Sequence, residues 1–303
     1  MPNLLPSCVV LMATYNGGCW LSEQLDSIRD QQNVDVSIIV SDDQSSDDTL
    51  HVLQGFSELL RLTILPNESE RFGGANGNFL RLIRDAEIGK AQYVALADQD
   101  DIWNGDKLAR GIAKLSSDNA DAYSSDVVAF WPDGTTRLVK KSFPQKRLDY
   151  LFGSPGPGCT FLFSRSIFLK IRLWVTENYR DLKNLWVHDW TLYAYVRSGG
   201  YSWVIDNVPT MRYRQHHLNE IGVNVGFKAM LRRVAVVRDG GYRKNIFIIS
   251  DLTRSSPKCR NAIIRLNFID RLWLIIHAND FRRSLLEVIA LQILFLLMPA
   301  TPI

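Results

Sequence analysis

The first half of the chain alternates short apolar runs rich in β-branched residues with amphipathic stretches of helical period. The predicted strands cover residues 8–13, 36–41, 62–65 and 93–97, and the predicted helices cover 20–31, 47–60, 78–87 and 106–115. This alternation is typical of βα units, whose strands join into a mostly parallel sheet. We therefore predict an α/β fold with helices on both faces of the sheet.

Charge divides the chain into two parts of unlike character. Of 303 residues, 46% are hydrophobic and 22% charged, which is the balance of an ordered globular protein and excludes a disordered one. Residues 227–303 hold 13 of the 35 Lys and Arg residues and 5 of the 32 Asp and Glu residues, so their net charge is +8 against −5 for residues 1–226. We predict an α/β domain over 1–226 and a basic, amphipathic helical region over 227–303.

Cysteine usage and the apolar segments indicate a cytoplasmic protein. The four cysteines form no C-x-x-C pair, which argues against a zinc knuckle or a disulfide framework. The N-terminus has no basic segment followed by a signal-type apolar region. The longest apolar tract, 285–300, is interrupted by Glu287 and Gln292 and is too short for a transmembrane helix.

Polar residues follow three of the predicted strands directly. The segments are Thr-Tyr-Asn-Gly-Gly at 14–18, Asp-Asp-Gln-Ser-Ser at 42–46 and Asp-Gln-Asp-Asp at 98–101. Singly they read as a turn, a helix cap and a solvated acidic cluster. Ligands of open α/β sheets bind beyond the carboxyl ends of the strands, however, so three such segments predict a binding site. Asp98 and Asp100 can bring oxygen ligands to one divalent cation, and Mg²⁺ or Mn²⁺ suits them.

These segments together resemble a known enzyme family. Residues 13–16, 40–49 and 97–103 are similar, in this order, to the motifs of the inverting, nucleotide-sugar-dependent glycosyltransferases of family 2, which have the GT-A fold. The Asp-Gln-Asp-Asp-Ile-Trp version of the third motif resembles the rhamnosyltransferase-like branch that builds bacterial surface polysaccharides. The resemblance extends from about residue 7 to about residue 225.

The resemblance implies roles for residues of the donor site. Thr14 and Tyr15 would frame the pyrimidine base, and Asp43 would hydrogen-bond the base or ribose. The implied nucleotide-binding residues are Thr14, Tyr15, Asp42, Asp43, Arg71 and Asp98, although a solvent-exposed loop role is equally open for Arg71. The implied metal ligands are Asp98, Asp100 and His216, with Asp101 as a further candidate or a helix cap.

The second half carries the implied catalytic base and acceptor contacts. His188-Asp189-Trp190 resembles the acidic motif of the family, whose Asp removes a proton from the acceptor hydroxyl, so we assign Asp189 as the base. The structural alternative is a helix N-cap. The chain departs from many family members in having His188 in place of an acidic residue. Trp186 and Trp190 would stack on a sugar ring, unless they are core aromatics.

The resemblance implies transfer of one sugar to a growing, lipid-linked glycan. Rhamnose from dTDP-rhamnose is the favoured donor, and a UDP-hexose is the alternative. A nucleotidyltransferase is a second enzymatic alternative, but it would normally carry a basic phosphate loop after the first strand, and the segment at 14–18 has no basic residue. A non-enzymatic alternative is a sugar-nucleotide-binding or membrane-scaffold protein. The basic C-terminal region would lie on an anionic membrane surface, or else form a packed subdomain or a dimer contact. Nucleic-acid binding is disfavoured because no recognised module accompanies the charge.

Overall fold

A computed structural model of the protein describes residues 4–69, 71–216, 219 and 240–300. The chain divides into two compact units. The first consists of Met1–Ser142, Gly156–Asp189 and Tyr201–Gly222; the second consists of Phe143–Pro155, Trp190–Gly200 and Val223–Ile303. The boundary predicted at residue 227 lies outside the described residues. Two segments from the middle of the chain belong with the C-terminal region, which the charge pattern did not indicate.

The first unit is built from alternating strands and helices over its N-terminal half. Its strands are β1 (Ser7–Thr14), β2 (Asp35–Asp42), β3 (Leu62–Ile64), β4 (Tyr93–Ala97), β5 (Ile102–Trp103), β6 (Ala122–Ser125), β7 (Val127–Phe130), β8 (Thr136–Val139), β9 (Leu162–Ser164), β10 (Trp203–Asp206) and β11 (Met211–Arg214). Its helices are α1 (Gly18–Arg29), α2 (Thr49–Ser57), α3 (Ala75–Asp85), α4 (Lys107–Ser117), α5 (Arg165–Glu177) and α6 (Tyr179–Leu182). Helix α7 (His188–Ser198) begins in this unit and ends in the second.

A seven-stranded sheet with the order β10-β6-β9-β4-β1-β2-β3 forms the centre of the first unit. Strand β9 pairs antiparallel with β4 and β6, and the other pairings in this sheet are parallel. The predicted α/β fold with a mostly parallel sheet is therefore confirmed. A second sheet with the order β5-β11-β7-β8 was not predicted as a sheet.

Strand β1 is buried on both faces, as expected of a central strand in a parallel sheet. Val10 and Met12 pack in one cluster with Leu21 and Leu25 of α1. The alternate residues of β1 are buried as well, and helix α3 packs on β1 and β2. Burial on both faces holds the carboxyl ends of β1, β2 and β4 in fixed register, and these ends carry the predicted site.

The described part of the second unit, residues 240–300, contains five further helices: α8 (Gly241–Leu252), α9 (Pro257–Arg265), α10 (Phe268–Ile276), α11 (Ala278–Phe281) and α12 (Leu285–Leu297). Phe152, from the segment before the loop, stacks on Phe281 at 4.4 Å and meets Phe295 edge-on. The buried Asp149 accepts a hydrogen bond from Tyr193 at 3.0 Å. These contacts explain why both mid-chain segments belong to this unit. Within the described ranges, every helix is too short or too polar to span a bilayer.

Candidate active site

The ends of β1 and β2 are joined through the carboxylate of Asp42. Thr14 and Asp42 are register partners, and the Thr14 hydroxyl donates to Asp42 at 2.8 Å. The backbone N–H and the hydroxyl of Ser45 also donate to this carboxylate, at 2.8 and 2.6 Å. Thr14 and Asp42 are both buried and hold the two loops together, and their predicted nucleotide contacts remain a prediction. The helix cap considered for 42–46 is not formed, because α2 begins at Thr49.

Asp43 organises the segment that carries Arg71. Its buried carboxylate accepts the backbone N–H groups of Phe72 at 2.5 Å and Gly73 at 3.1 Å. The Arg71 guanidinium lies 3.5 Å from the same carboxylate and 3.8 Å from the centroid of the Tyr15 ring. The structure thus brings together three of the predicted nucleotide-binding residues, with the Tyr15 ring 40% exposed beside a partly exposed cation.

Gln99 connects this region to the acidic turn after β4. The backbone N–H of Tyr15 donates to Gln99 Oε1 at 2.8 Å, and Gln99 Nε2 donates to the Tyr15 carbonyl at 2.9 Å. A Cβ atom on Gly17 would lie 2.2 Å from Gln99 Oε1, so only glycine leaves room for this side chain. Sequence reasoning passed over Gln99 because it weighed only the carboxylates of the Asp-Gln-Asp-Asp segment.

Asp100 and His216 lie next to each other, as their predicted roles require. His216 Nε2 is 2.7 Å from Asp100 Oδ2, and the amide of Asn219 donates to the same oxygen at 3.3 Å. The His216 ring stacks on Trp20, with centroids 3.7 Å apart. Arg214 donates to the Asp100 carbonyl at 2.7 Å, which ties β11 to the acidic turn. Trp20 was not predicted as a site residue, because the sequence indicated it only as the start of the predicted helix 20–31.

Asp98 belongs to a second group of potential ligands. Ligand atoms of Asp98, Asp101 and Cys159 lie within 4.8 Å of one another. Burial, with the nearby charges of Asp100 and Asp98, raises the pKa of Asp101 well above its usual range. Asp101 accepts the backbone N–H of Arg214 at 3.1 Å and does not cap α4, which begins at Lys107. Its other oxygen is buried and accepts no nitrogen or oxygen donor among the described residues.

The residues present fit a hard divalent cation, although they are arranged differently from the prediction. Carboxylates and an imidazole suit Mg²⁺ or Mn²⁺, whereas the thiol of Cys159 suits a softer metal. The predicted set of Asp98, Asp100 and His216 is split in this structure, because Asp100 meets His216 while Asp98 lies with Asp101. Burial raises the pKa of the Cys159 thiol well above its usual range, which keeps it protonated.

Asp189 is the second residue of α7 and is partly buried. The preceding His188 is buried, stacks on Phe79 at 4.0 Å between centroids, and lies against Gly158 so closely that a Cβ there would be 2.3 Å from His188 Nε2. Burial lowers the pKa of His188 to about 3, so the imidazole is neutral. Gly158 precedes Cys159, and the start of α7 is therefore held beside the segment that reaches the Asp98 group. Asp189 lies inside the helix and is not its N-cap.

The two tryptophans predicted to stack on the acceptor differ in exposure. Trp186 is 40% exposed. Trp190 is 5% exposed, its indole N–H donates to the Tyr150 carbonyl at 2.8 Å, and its ring packs 5.5 Å from that of Tyr242. The structure thus places Trp190 in the core of the second unit, which corrects the stacking role predicted for it.

Comparison with known proteins identifies one relative that aligns with nearly the whole chain and others that align with part of it. The family model described as Glycosyl transferase family 2 matches residues 9–172. The dTDP-rhamnosyl transferase RfbG of Shigella flexneri is 39% identical over 288 residues, which cover 94% of this chain and 99% of that protein. The UDP-Glc:alpha-D-GlcNAc-diphosphoundecaprenol beta-1,3-glucosyltransferase WfgD of Escherichia coli is 29% identical over 111 residues, covering 36% of this chain and 41% of WfgD.

Solved structures with a similar fold have low sequence identity to the chain. Staphylococcus aureus TarS 1–349 in complex with UDP-GlcNAc matches with a TM-score of 0.55 at 14% identity, covering 91% of this chain and 80% of that one. The mannosyltransferase PcManGT of Pyrobaculum calidifontis, in complex with GDP-Man and Mn²⁺, matches with a TM-score of 0.51 at 17% identity, covering 96% and 88%. The family model covers more than half of the sequence and the RfbG alignment nearly all of it, and on this evidence the chain is a member of glycosyltransferase family 2.

Proposed function

We propose that the protein transfers one rhamnosyl residue from dTDP-rhamnose to a hydroxyl group of a growing glycan, with inversion at the anomeric carbon. The observation that carries the choice of donor is the 39% identity to a dTDP-rhamnosyl transferase over 99% of that protein's length. The alignment covers 94% of this chain, so it spans the segment with Asp189. A UDP-hexose is the alternative donor.

The proposed reaction is a single displacement. Asp189 accepts the proton of the acceptor hydroxyl while that oxygen bonds to the anomeric carbon, and the bond from this carbon to the diphosphate breaks on the opposite face. The leaving group is thymidine diphosphate. The neutral, buried His188 fixes the start of α7 against Gly158 and so orients the neighbouring Asp189.

In this proposal Tyr15, Asp43 and Arg71 form the nucleotide side of the donor site. The exposed Tyr15 ring is the proposed stacking surface for the base. The Arg71 guanidinium lies 3.8 Å from the centroid of the Tyr15 ring and is the proposed cation that pairs with the phosphates. The buried Asp43 holds the 71–73 segment in place and is also the proposed partner of the base or ribose.

Asp98, Asp100 and His216 are the proposed ligands of Mg²⁺ or Mn²⁺. The 2.7 Å distance between His216 and Asp100 and the acidic group around Asp98 support this proposal, as does the Mn²⁺ in the structure of PcManGT. A divalent cation bound here would neutralise charge that develops on the leaving diphosphate.

The proposed acceptor is a glycan attached to a lipid diphosphate, met at the cytoplasmic side of an anionic membrane. The acceptor named for WfgD, which is a diphosphoundecaprenol-linked sugar, supports this class. Trp186, 40% exposed shortly before Asp189, is the proposed stacking surface for the acceptor sugar.

A donor panel tests the proposed function. The purified chain is mixed with dTDP-rhamnose, UDP-glucose, UDP-GlcNAc and GDP-mannose in the presence of Mn²⁺, and thermal stabilisation and release of nucleoside diphosphate are measured. We expect dTDP-rhamnose to give the largest stabilisation and the fastest release. Preference for a UDP-sugar would replace the donor assignment, and no stabilisation by any of the four would refute the proposal.

Two substitutions test the roles within the site. Asp189→Asn should lower kcat by about 10²- to 10⁴-fold while donor binding persists, since only proton transfer is lost. Asp181→Asn, a change of the same kind at an exposed residue of α6, is the matched control. Asp100→Ala should remove the dependence of turnover on Mn²⁺ together with most activity. Full cellular function with Asn at position 189 would instead favour the non-catalytic scaffold.

A further inference from the structure

The second unit exposes large apolar side chains on two adjacent helices. We use the term apolar face for Phe268, Ile269 and Ile276 of α10 and Leu285, Leu286 and Leu297 of α12. Phe268 is 80% exposed and Leu286 81% exposed, and the other four are at least 66% exposed. Single exposed apolar residues are normal on a protein surface, but a contiguous set of this size marks an interaction surface.

Hydrogen bonds between the two helices hold the apolar face together. The Arg271 guanidinium of α10 donates to the Met298 carbonyl at 2.7 Å and to the Phe295 carbonyl, at the C-terminal end of α12. Gln292, the polar residue in the middle of α12, donates to the Ile275 carbonyl of α10 at 3.1 Å. These polar groups are therefore satisfied between the helices, and the outward surfaces are left apolar.

The described stretch of chain that carries the apolar face is positively charged overall. Residues 240–300 contain nine Lys and Arg residues and four Asp and Glu residues, a net charge of +5. Trp273 of α10 is partly buried and packs on His277, and the Lys258 ammonium lies 5.0 Å from its ring.

We propose that the apolar face inserts into the surface of an anionic lipid bilayer, with α10 and α12 lying in the membrane plane. Helix α12 has 13 residues, which is too short to span a bilayer, and its exposed side is apolar. This inference deepens and rests on the proposed function, because an acceptor attached to a lipid diphosphate is met at that surface. A second copy of the chain is a poorer partner, since pairing two such faces would bring two regions of charge +5 together.

Vesicle binding by the full-length chain tests this inference. The probes are vesicles of phosphatidylglycerol with phosphatidylcholine, and vesicles of phosphatidylcholine alone. We expect cosedimentation with the anionic vesicles that weakens as salt is raised, and much weaker binding to the neutral ones. Phe268→Glu and Leu286→Glu should each weaken binding by about tenfold or more, because each removes the insertion of a large apolar side chain.

Leu173→Glu is the matched control, since it makes the same change at a 61% exposed leucine on α5 of the first unit. It should bind vesicles as the unchanged chain does. Leu286→Glu adds an acidic residue in the first turn of α12, where the helix dipole favours it, so this variant should fold; thermal unfolding checks this. Equal binding by the two face variants and the control would overturn the inference.

Two further results would also overturn it. One is an absence of binding to anionic vesicles. The other is a chain that forms a dimer in solution and does not bind vesicles, with the dimer dissociated by Phe268→Glu. That result would make a second copy the partner of the apolar face. Release of nucleoside diphosphate with a water-soluble acceptor reports the proposed function separately: release without vesicle binding refutes only this inference, and vesicle binding without release refutes only the proposed function.

Discussion

The buried His188 should make the stability of the protein sensitive to mild acid. Its ring lies between Phe79 and Gly158, and burial lowers its pKa from the usual 6.5 to about 3. The unfolded chain therefore binds a proton at this residue between these two pH values, and the folded chain does not. Because the folded pKa is the lower one, the stabilisation is complete above about pH 6.5 and is lost as the pH falls toward 3.

The size of the effect follows from the two pKa values. At pH 5 the unfolded-state imidazole is almost fully protonated and the folded-state imidazole almost fully neutral. The free energy of unfolding should then be lower by about 2 kcal/mol than at pH 7.5 from this residue alone. A change of this size is a large part of the stability of an ordinary domain, which is about 5–15 kcal/mol.

Urea unfolding followed by tryptophan fluorescence measures this effect at pH 7.5, 6 and 5. His188→Gln provides the comparison, because it removes the titrating group while the carboxylates that also respond to acid are retained. The unchanged chain should lose about 2 kcal/mol more than the variant between pH 7.5 and pH 5. Parallel pH profiles for the two proteins would refute the reasoning, since they would mean that His188 takes up a proton in the folded state as readily as in the unfolded one.

Two other predictions concern packing and thiol access. Gly158→Ala should lower the free energy of unfolding by about 1–3 kcal/mol, measured by thermal unfolding, since the added Cβ would lie 2.3 Å from His188 Nε2. The control is Gly55→Ala, inside α2, where an added Cβ would have no heavy atom within 4 Å and stability should be equal or slightly higher. An equal loss in both variants would contradict the close contact between Gly158 and His188. Cys19 is exposed and should be the single thiol that reacts with Ellman's reagent in the folded chain, whereas all four cysteines should react after unfolding. If the folded Cys19→Ser variant still reacted, a buried thiol would be accessible and the prediction would be wrong.

The parallel part of the fold could be predicted from local pattern, and the second sheet could not. Strands β1, β2 and β4 are runs of 8, 8 and 5 residues with apolar centres, and polar segments follow them, so periodicity and position indicated both the strands and the site at their ends. Strands β5, β7, β8 and β11 have two to four residues, and the pairing of β5 with β11 joins segments more than 100 residues apart. Such short strands acquire their conformation from tertiary contacts that no local pattern records.

The individual site residues show the same division. The carboxylates could be named from their place after strands, but their partners could not: Asp100 meets His216 across 116 positions of sequence, and the Gln99 amide pairs with a backbone segment 84 positions away. Trp190 was assigned to a sugar because of its neighbour Asp189, while its helical direction turns it into the second unit. Adjacency in sequence is a poor guide within a helix, where consecutive side chains point in different directions.

The paired hydrogen bonds between Gln99 and the backbone of Tyr15 have a mechanical consequence. The Gln99 side chain bonds to both backbone groups of Tyr15, as a residue of a neighbouring β-strand would. The loop that carries Tyr15 is therefore bound to the acidic turn after β4. Displacing one loop without the other would break both bonds, so we expect the two loops to move together. Gln99→Glu would keep the acceptor oxygen and lose the N–H donor. The Tyr15 carbonyl would then lose its hydrogen bond, and the two loops would be less firmly coupled.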